Sequence, residues 1–416
     1  MKKRIILMSA LACAFMVFTG CSDDNDEPKL NWATVLPSEQ ITVGDNLSVN
    51  FNNDQASAGS VKFAVDNTAD NAATVSLLNI IPGYGELNVP VTLSKTADKA
   101  YAFTGKLSVT SAPAMTRMEA AGYSIYDVTV NGTIIDSKCT VNVTSALSEQ
   151  AQGGLTGTWN LLDKAVPGGE NGGYKSAPLM MTWTANDATK PNMQSVAGII
   201  SAMGGPVLFN LLQNVTFNAD GNITASYYTP LKDENVMDFI GGSEENEDGS
   251  YTYKVVHQGE WSQSKKNLAF WYAKDGYIYV TPNLSAILGA TGAGDLNLDI
   301  ETIANLAQMI GVDADKLKNV LTTWNKTGIP LKYTVDGNNL SLTVDKEMAA
   351  PVIELLLPTL PMLQKMYENM QKNDPDTAGM ISMLLFMMNG AQSFEDIATI
   401  WKENTKEFGI NLNFTK

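Results

Sequence analysis

Three hairpins with the same turn chemistry constrain this chain more than any other feature. Val215-Thr216-Phe217-Asn218 and Ile223-Thr224-Ala225-Ser226-Tyr227-Tyr228 flank Asp220-Gly221. Leu268-Ala269-Phe270-Trp271-Tyr272 and Tyr277-Ile278-Tyr279-Val280 flank Asp275-Gly276. Leu331-Lys332-Tyr333-Thr334-Val335 and Leu340-Ser341-Leu342-Thr343-Val344 flank Asp336-Gly337. Asp-Gly accepts the positive φ values that let a tight turn match the right-handed twist of its strands. The flanking segments alternate apolar with polar residues, as a strand with one buried face does. Consecutive hairpins of this kind make a meander, the simplest route to an up-and-down antiparallel barrel.

The chain ahead of the meander repeats the alternation in shorter units. Residues 30–149 hold strand signals at Leu47 to Phe51, Val61 to Val65, Ala73 to Leu77, Leu87 to Val91 and Lys106 to Val109. Tyr126 to Val130 and Thr133 to Ile135, around Asn131-Gly132, spell a further two-residue hairpin. Short strands at regular spacing point to a sandwich or open barrel. Ser148 to Gly154 is polar and ends in two glycines, which suits a linker. After the second hairpin the period changes to that of helices. Ile300, Ile303, Ala304, Ala307 and Ile310 fall at helical spacing, and a helix is expected between Asp313 and Gly328. Another runs from Glu347 to Met370 with a break near Pro358 and Pro361. Pro375 starts the next, and Ser393 to Asp396 has capping-box order. Phe408 to Phe414 returns to strand alternation and is placed to close the barrel. The expected class is therefore mainly β with helical insertions (α+β). A β-sandwich-like domain (30–149) precedes an antiparallel barrel domain (150–416) capped by C-terminal helices.

The N-terminus sets a location. Met1-Lys2-Lys3-Arg4, an apolar run from Ile5 to Phe18 and Thr19-Gly20-Cys21 have the layout of a secretory signal. The run is too short for a permanent transmembrane helix. Phe18-Thr19-Gly20-Cys21 resembles the bacterial lipobox, which implies that residues 1–20 are removed and that Cys21 carries lipid. Residues 21–29, with Asp23, Asp24, Asp26 and Glu27, form a charged tether. Such an acidic run behind the lipidated cysteine resembles the surface-export signal of Bacteroidetes lipoproteins. At Gly157-Thr158-Trp159, which opens the meander, the chain resembles the lipocalin or calycin superfamily. The whole layout is similar to uncharacterised Bacteroidetes surface lipoproteins with a calycin-like domain behind a β-domain. Lipocalins usually set an arginine from the last strand against that tryptophan, and no arginine follows Arg117 here. The resemblance implies an outer-membrane, surface-exposed protein held by its lipid.

Charge and rare residues narrow the chemistry. Formal charge is −16, and becomes −19 when Lys2, Lys3 and Arg4 leave with the signal (−16 − 3). Such a surface repels phosphate backbones, so nucleic acid is not expected as a partner. Cys139 has no cysteine left to pair with and reads as a small buried hydrophobe. His257 is the single histidine; the ordinary reading is a hydrogen-bonded strand histidine. One histidine and one remote cysteine cannot make a zinc site, and no phosphate loop or dinucleotide fingerprint is present. No catalytic residues, metal or cofactor are therefore assigned. The acidic clusters, such as Glu244 to Asp248, are loop-like and solvated, so a carboxylate hydrolase is only a third possibility.

Two groups of side chains suggest binding. Tyr227, Trp271, Tyr272 and Tyr279 put large rings on adjacent strands, where core packing competes with a ligand-lining role. Met362, Met366, Met383 and Met387 crowd the C-terminal helices, where methionine adapts to apolar partners. A buried helix is the plain reading; a pliable lid over an apolar barrel cavity is the functional one. Gly204-Gly205-Pro206 inside Val196 to Leu212 would break a helix into a second flap. The expectation is a non-enzymatic surface lipoprotein that binds a small apolar or amphipathic ligand in its barrel. The alternative is a glycan-binding or structural component of an outer-membrane uptake complex.

Overall fold

The computed structural model describes residues 30–416 except 45, 57, 67, 111–123, 170–172, 187–192, 233, 284–286, 288–303, 305–306, 309–310 and 388–390. The side chains of residues 325, 326, 376, 377, 380, 384 and 387 also lie outside the described part. The signal, Cys21 and the tether lie outside it, as does most of the helix expected at 298–310. What is described is mainly β, with 43% strand against 29% helix, arranged in several sheets.

The first sheet has nine strands and a single pairing path. From one end it runs Ile41–Thr42, Ser60–Val65, Ala72–Leu78, Glu86–Ala97, Ala100–Val109, Tyr126–Ile135, Lys138–Leu147, Leu47–Phe51 and Asp54–Gln55. All neighbours are antiparallel except Leu47–Phe51 against Lys138–Leu147. Burial alternates along the strands, with Val75, Val89, Val130, Val141 and Val143 fully enclosed. The facing sheets of a sandwich are replaced by one sheet that curls over its own apolar face. Phe63 and Phe103 lie three strands apart, roughly 14 Å on a flat sheet, yet their ring centroids are 5.2 Å apart. The hairpin expected at Asn131-Gly132 is not a turn: both residues lie inside Tyr126–Ile135. Asn131 accepts a hydrogen bond from Thr104 Oγ1 (2.6 Å). A Cβ on Gly132 would come within 2.1 Å of the Phe103 ring. The glycine makes room for a cross-strand ring rather than for a reversal. The reversal comes at Asp136 and Ser137, both with positive φ.

The second sheet has ten strands. The three hairpins are present, with shifts of register. Asp275-Gly276 forms the two-residue loop between Lys274 and Tyr277, with both φ values positive, as a type I′ turn requires. In the third hairpin Asp336 pairs with Asn339, so the loop is Gly337-Asn338. The final strand, Thr405–Thr415, joins Gly157–Leu161 to Asn339–Asp345 and also pairs with Leu179–Ala185. The result is a strongly curled half-barrel and not a closed barrel. At the opposite seam Ala269–Lys274 does not pair as a strand with the Ile223–Tyr227 hairpin; one bridge, Asn222 to Phe270, and the Trp271 N–H on the Gly221 carbonyl (2.8 Å) link their backbones. Trp159, Leu161, Phe217, Trp271, Ile278, Leu340 and Phe414 fill the concave side, all at most 3% exposed. Trp159 donates to the Leu155 carbonyl (2.6 Å). Lys416 Nζ sits 4.5 Å above its ring, a cation–π contact.

Ala269–Lys274 explains why the sequence put rings on both faces of one strand. Trp271 packs on Phe217 in the half-barrel (5.0 Å). Phe270 and Tyr272 face the first sheet, Phe270 stacking on Phe51 (5.3 Å) and Tyr272 lying edge-on to Tyr126 (6.4 Å). Tyr126 Oη donates to the Trp271 carbonyl (2.7 Å) and Ser145 Oγ to that of Asp220 (2.8 Å). The two sheets share one apolar core, and the Ser148–Gly154 link is a capped turn of helix with Ala151 buried.

The helices form a second core around Trp183, Trp401 and Phe408. Ala314–Thr327 lies between its Asp313 cap and Gly328, as the sequence predicts. Lys346–Leu356 and Leu360–Asn373 are separated by a 3-10 turn at Pro358, and Pro375 opens the next helix. Ser393 and Asp396 complete the capping box. The break expected at Gly204-Gly205-Pro206 is absent: Met193–Leu211 runs through Pro206 as one helix. It is long and apolar enough to cross a membrane by length and composition. Here it is pinned to Leu179–Ala185, its Ser201 Oγ accepting from the Met181 N–H (2.8 Å) and its Gln194 Oε1 from the Trp183 N–H (3.1 Å).

Candidate functional site

The eight side chains singled out for binding do not converge. Trp271 and Tyr272 are 0% and 1% exposed and belong to the core and to the joint between sheets. Tyr279 is half-buried and stacks on Tyr272 (5.0 Å), and burial raises its phenol pKa. Tyr227 is exposed at a strand end. Met362, Met366 and Met383 point to solvent, as does Phe386. They do so because Leu360, Tyr367, Ala378 and Leu385 take the inward faces of the same helices. The Met387 side chain lies outside the described residues.

A pocket of about 440 Å³ lies instead beside the half-barrel, lined by Leu231, Lys232, Glu234, Asp238, Phe239, Val256 and Gln258. Two smaller concavities, near 280 and 140 Å³, lie elsewhere on the second region. The large pocket forms where the chain leaves the sheet twice. Tyr228 continues Ile223–Tyr227 by one residue and turns inward, opposite to Tyr227, as strand alternation requires. The chain then passes into the 3-10 helix Val236–Gly241, whose Asn235 cap accepts from the Met237 N–H. It returns through residues 254–261. Asn210, fully buried at the end of Met193–Leu211, clamps that return. Its Oδ1 accepts from the Val256 N–H (2.7 Å), and its Nδ2 donates to the Lys254 and Pro206 carbonyls (3.1 and 2.9 Å). Gly259 crosses the edge of Tyr228, where a Cβ would lie 2.7 Å from the ring.

Glu234 is the fixed charge of the pocket. Its Oε2 accepts from Tyr228 Oη (2.5 Å) and from the Leu231 N–H (3.2 Å), and its Oε1 from the Gln258 N–H (3.3 Å). The tyrosine hydrogen bond, first among the causes, holds the carboxyl below its ordinary pKa and raises that of the phenol. Three donors to the charged form keep an anion in one place and leave one open lone-pair site, on Oε1. Leu231, Phe239 and Val256 supply apolar wall beside it.

His257 backs this wall and is not a strand histidine. It lies in the loop between Tyr253 and Ser262. Its ring stacks on Tyr228 (3.8 Å, 9°) and meets the edge of Trp261 at 4.6 Å. Both ring nitrogens are buried, and neither has a protein hydrogen-bond partner among the described residues. Rings hold it in place where hydrogen bonds do not. Single occurrence in the sequence was the one signal for His257. Asn210 and Glu234 carried none, because their roles depend on loops that meet only in space.

Among the described residues no group of three or more His, Cys, Asp and Glu side chains is placed to hold a metal ion. Cys139 is 2% exposed, and burial pushes its thiol up to about 12. The arrangement offers binding chemistry: an apolar wall, a preset carboxylate and a volume suited to a small molecule. Comparison of the chain with protein-family models, with curated proteins and with solved structures finds no match.

Proposed function

We propose that the chain is a non-enzymatic surface lipoprotein, anchored through Cys21, that binds a small amphipathic ligand in the pocket beside its half-barrel. The observation that carries this reading is the combination, in one concavity of about 440 Å³, of Leu231, Phe239 and Val256 with the clamped carboxylate of Glu234. Among the described residues the concave side of the half-barrel is packed by Trp159, Phe217 and Trp271. Native mass spectrometry of the mature chain, made with Cys21→Ser so that no lipid competes, tests the site against a panel of fatty alcohols, amines and acids. The expected result is a one-to-one adduct that Val256→Trp abolishes while circular dichroism is unchanged. Absence of any adduct, or an adduct that survives Val256→Trp, overturns the assignment. The anchor has its own test: the mass of the mature N-terminal peptide should include acyl chains on Cys21 and lack residues 1–20.

A second reading, a glycan-binding component of an outer-membrane uptake complex, draws support from the outer face of the first sheet. There uncharged side chains bond across strands, Asn50 Nδ2 to Asn142 Oδ1 (2.9 Å) and Ser76 Oγ to Asn88 Oδ1 (2.5 Å). A glycan array probed with the same mature chain separates the two readings. Glycan retention that Val256→Trp leaves intact places binding outside the pocket.

A further inference from the structure

The pocket's charges define its ligand more closely than its size does. Two carboxylates, Glu234 and Asp238, and one ammonium, Lys232, line it. The two acids differ in how they are held. Glu234 is locked by three donors on both oxygens. Asp238 stands exposed on the 3-10 helix Val236–Gly241. A locked carboxylate cannot turn away from a guest, and it cannot donate a hydrogen bond while it stays ionised. It therefore rewards a donor or a cation and penalises an acid. The apolar residues beside it, Leu231 and Val256, are more than a third exposed, so burying them favours a guest with a hydrocarbon body. The surrounding field has the same sign, since the chain carries a formal charge of −16. A negative field concentrates cations near the surface and repels anions.

We propose that the pocket selects a primary ammonium, so that its ligand class is an amphipathic amine with its hydrocarbon part on Leu231, Val256 and Phe239. The ammonium has three donors, enough to reach the open lone pair on Glu234 Oε1 and the carboxylate of Asp238 together. This inference rests on the pocket being the binding site, as proposed above.

Isothermal titration of the mature Cys21→Ser chain with n-octylamine, n-octanol and octanoate at pH 7 tests it, because the three probes share a tail and differ in the head. The expected order is octylammonium at least about tenfold tighter than octanol, a gap of about 1.4 kcal/mol, with no measurable binding of octanoate. The gap should narrow as salt is raised from low to physiological concentration, and Asp238→Asn and Glu234→Gln should each reduce it. Asp238 is exposed on its helix, so Asp238→Asn keeps the test open if Glu234→Gln is unstable. Octanol or octanoate binding as tightly as octylammonium overturns the ammonium assignment and leaves the pocket as a site for amphipathic molecules. Failure of all three probes to bind overturns the pocket assignment as well.

Discussion

The two sheets use the same alternation to different ends. In the first, nine strands follow one another without an inserted helix among the described residues. Every inward side chain is consumed by the core, and outward residues bond to each other across strands, as Thr104 does with Asn131. The three pockets described above all lie outside this sheet. In the second, the helix Met193–Leu211 and the segments around Val236–Gly241 and 254–261 interrupt the hairpins. Each interruption leaves backbone groups that need partners from side chains. Asn210 and Glu234 supply them, and the pocket is the space those supports hold open. A regular sheet stabilises itself; a site appears where regularity stops and other residues must take over.

The largest expected effect lies in the shared core. Trp271→Ala should cost about 3–5 kcal/mol in urea unfolding, because the ring is wholly enclosed and its Nε1 donates to the Asn218 carbonyl (3.1 Å). A loss below about 1 kcal/mol would mean that the half-barrel interior is not packed, and the contrast between filled sheet and open pocket would fail. Gly132→Ala tests the first sheet on its own terms. The new Cβ meets Phe103 and the Thr140 carbonyl, so a cost of about 1–3 kcal/mol is expected by overpacking. A neutral outcome would return Asn131-Gly132 to the status of a turn.

Those two positions also show what the sequence could and could not say. The meander, the Asp275-Gly276 turn, the Asp313 cap and the Ser393 capping box were legible, because each rests on residues within a few places of one another. Asn131-Gly132 was misread because its glycine answers to Phe103, which lies 29 positions back (132 − 103) and on the neighbouring strand. Closure of the barrel was misread for a related reason. Turn chemistry gives the neighbours inside a meander and is silent about whether its two ends pair. The aromatic and methionine candidates shared a physical ambiguity: rings and thioethers suit a core, a joint and a pocket equally well. The structure assigns Trp271 to the first, Tyr272 to the second and Met366 to solvent. Glu234 had nothing local to mark it among the chain's acids.

Smaller effects sharpen the second half of the comparison. Asn210→Ala removes the clamp on residues 254–256 and leaves the Val256 N–H without its partner, at a cost of about 1–3 kcal/mol. Hydrogen exchange at that amide should speed up while amides of the first sheet keep their protection. Uniform acceleration would show that the clamp supports the whole fold. Smaller still is the pH response of Glu234. Its folded pKa is depressed, so its contribution is present above the ordinary carboxylate value and is lost as pH falls through the folded value. Glu234→Gln should therefore lower the melting temperature at neutral pH and make less difference in acid. An equal loss at both pH values would assign the residue a packing role only.

His257 offers the most direct test of where the ligand sits, because it is the only imidazole in the chain. It rests against Tyr228, which is hydrogen-bonded to the pocket carboxylate. Long-range proton–nitrogen correlation spectra of the tag-free mature chain, titrated with n-octylamine, should show one imidazole signal that moves and saturates. The Trp271 indole signal, assigned by its loss in Trp271→Phe, should stay in place. Movement of the Trp271 signal with His257 unchanged would put the ligand inside the half-barrel and contradict the assignment of the pocket.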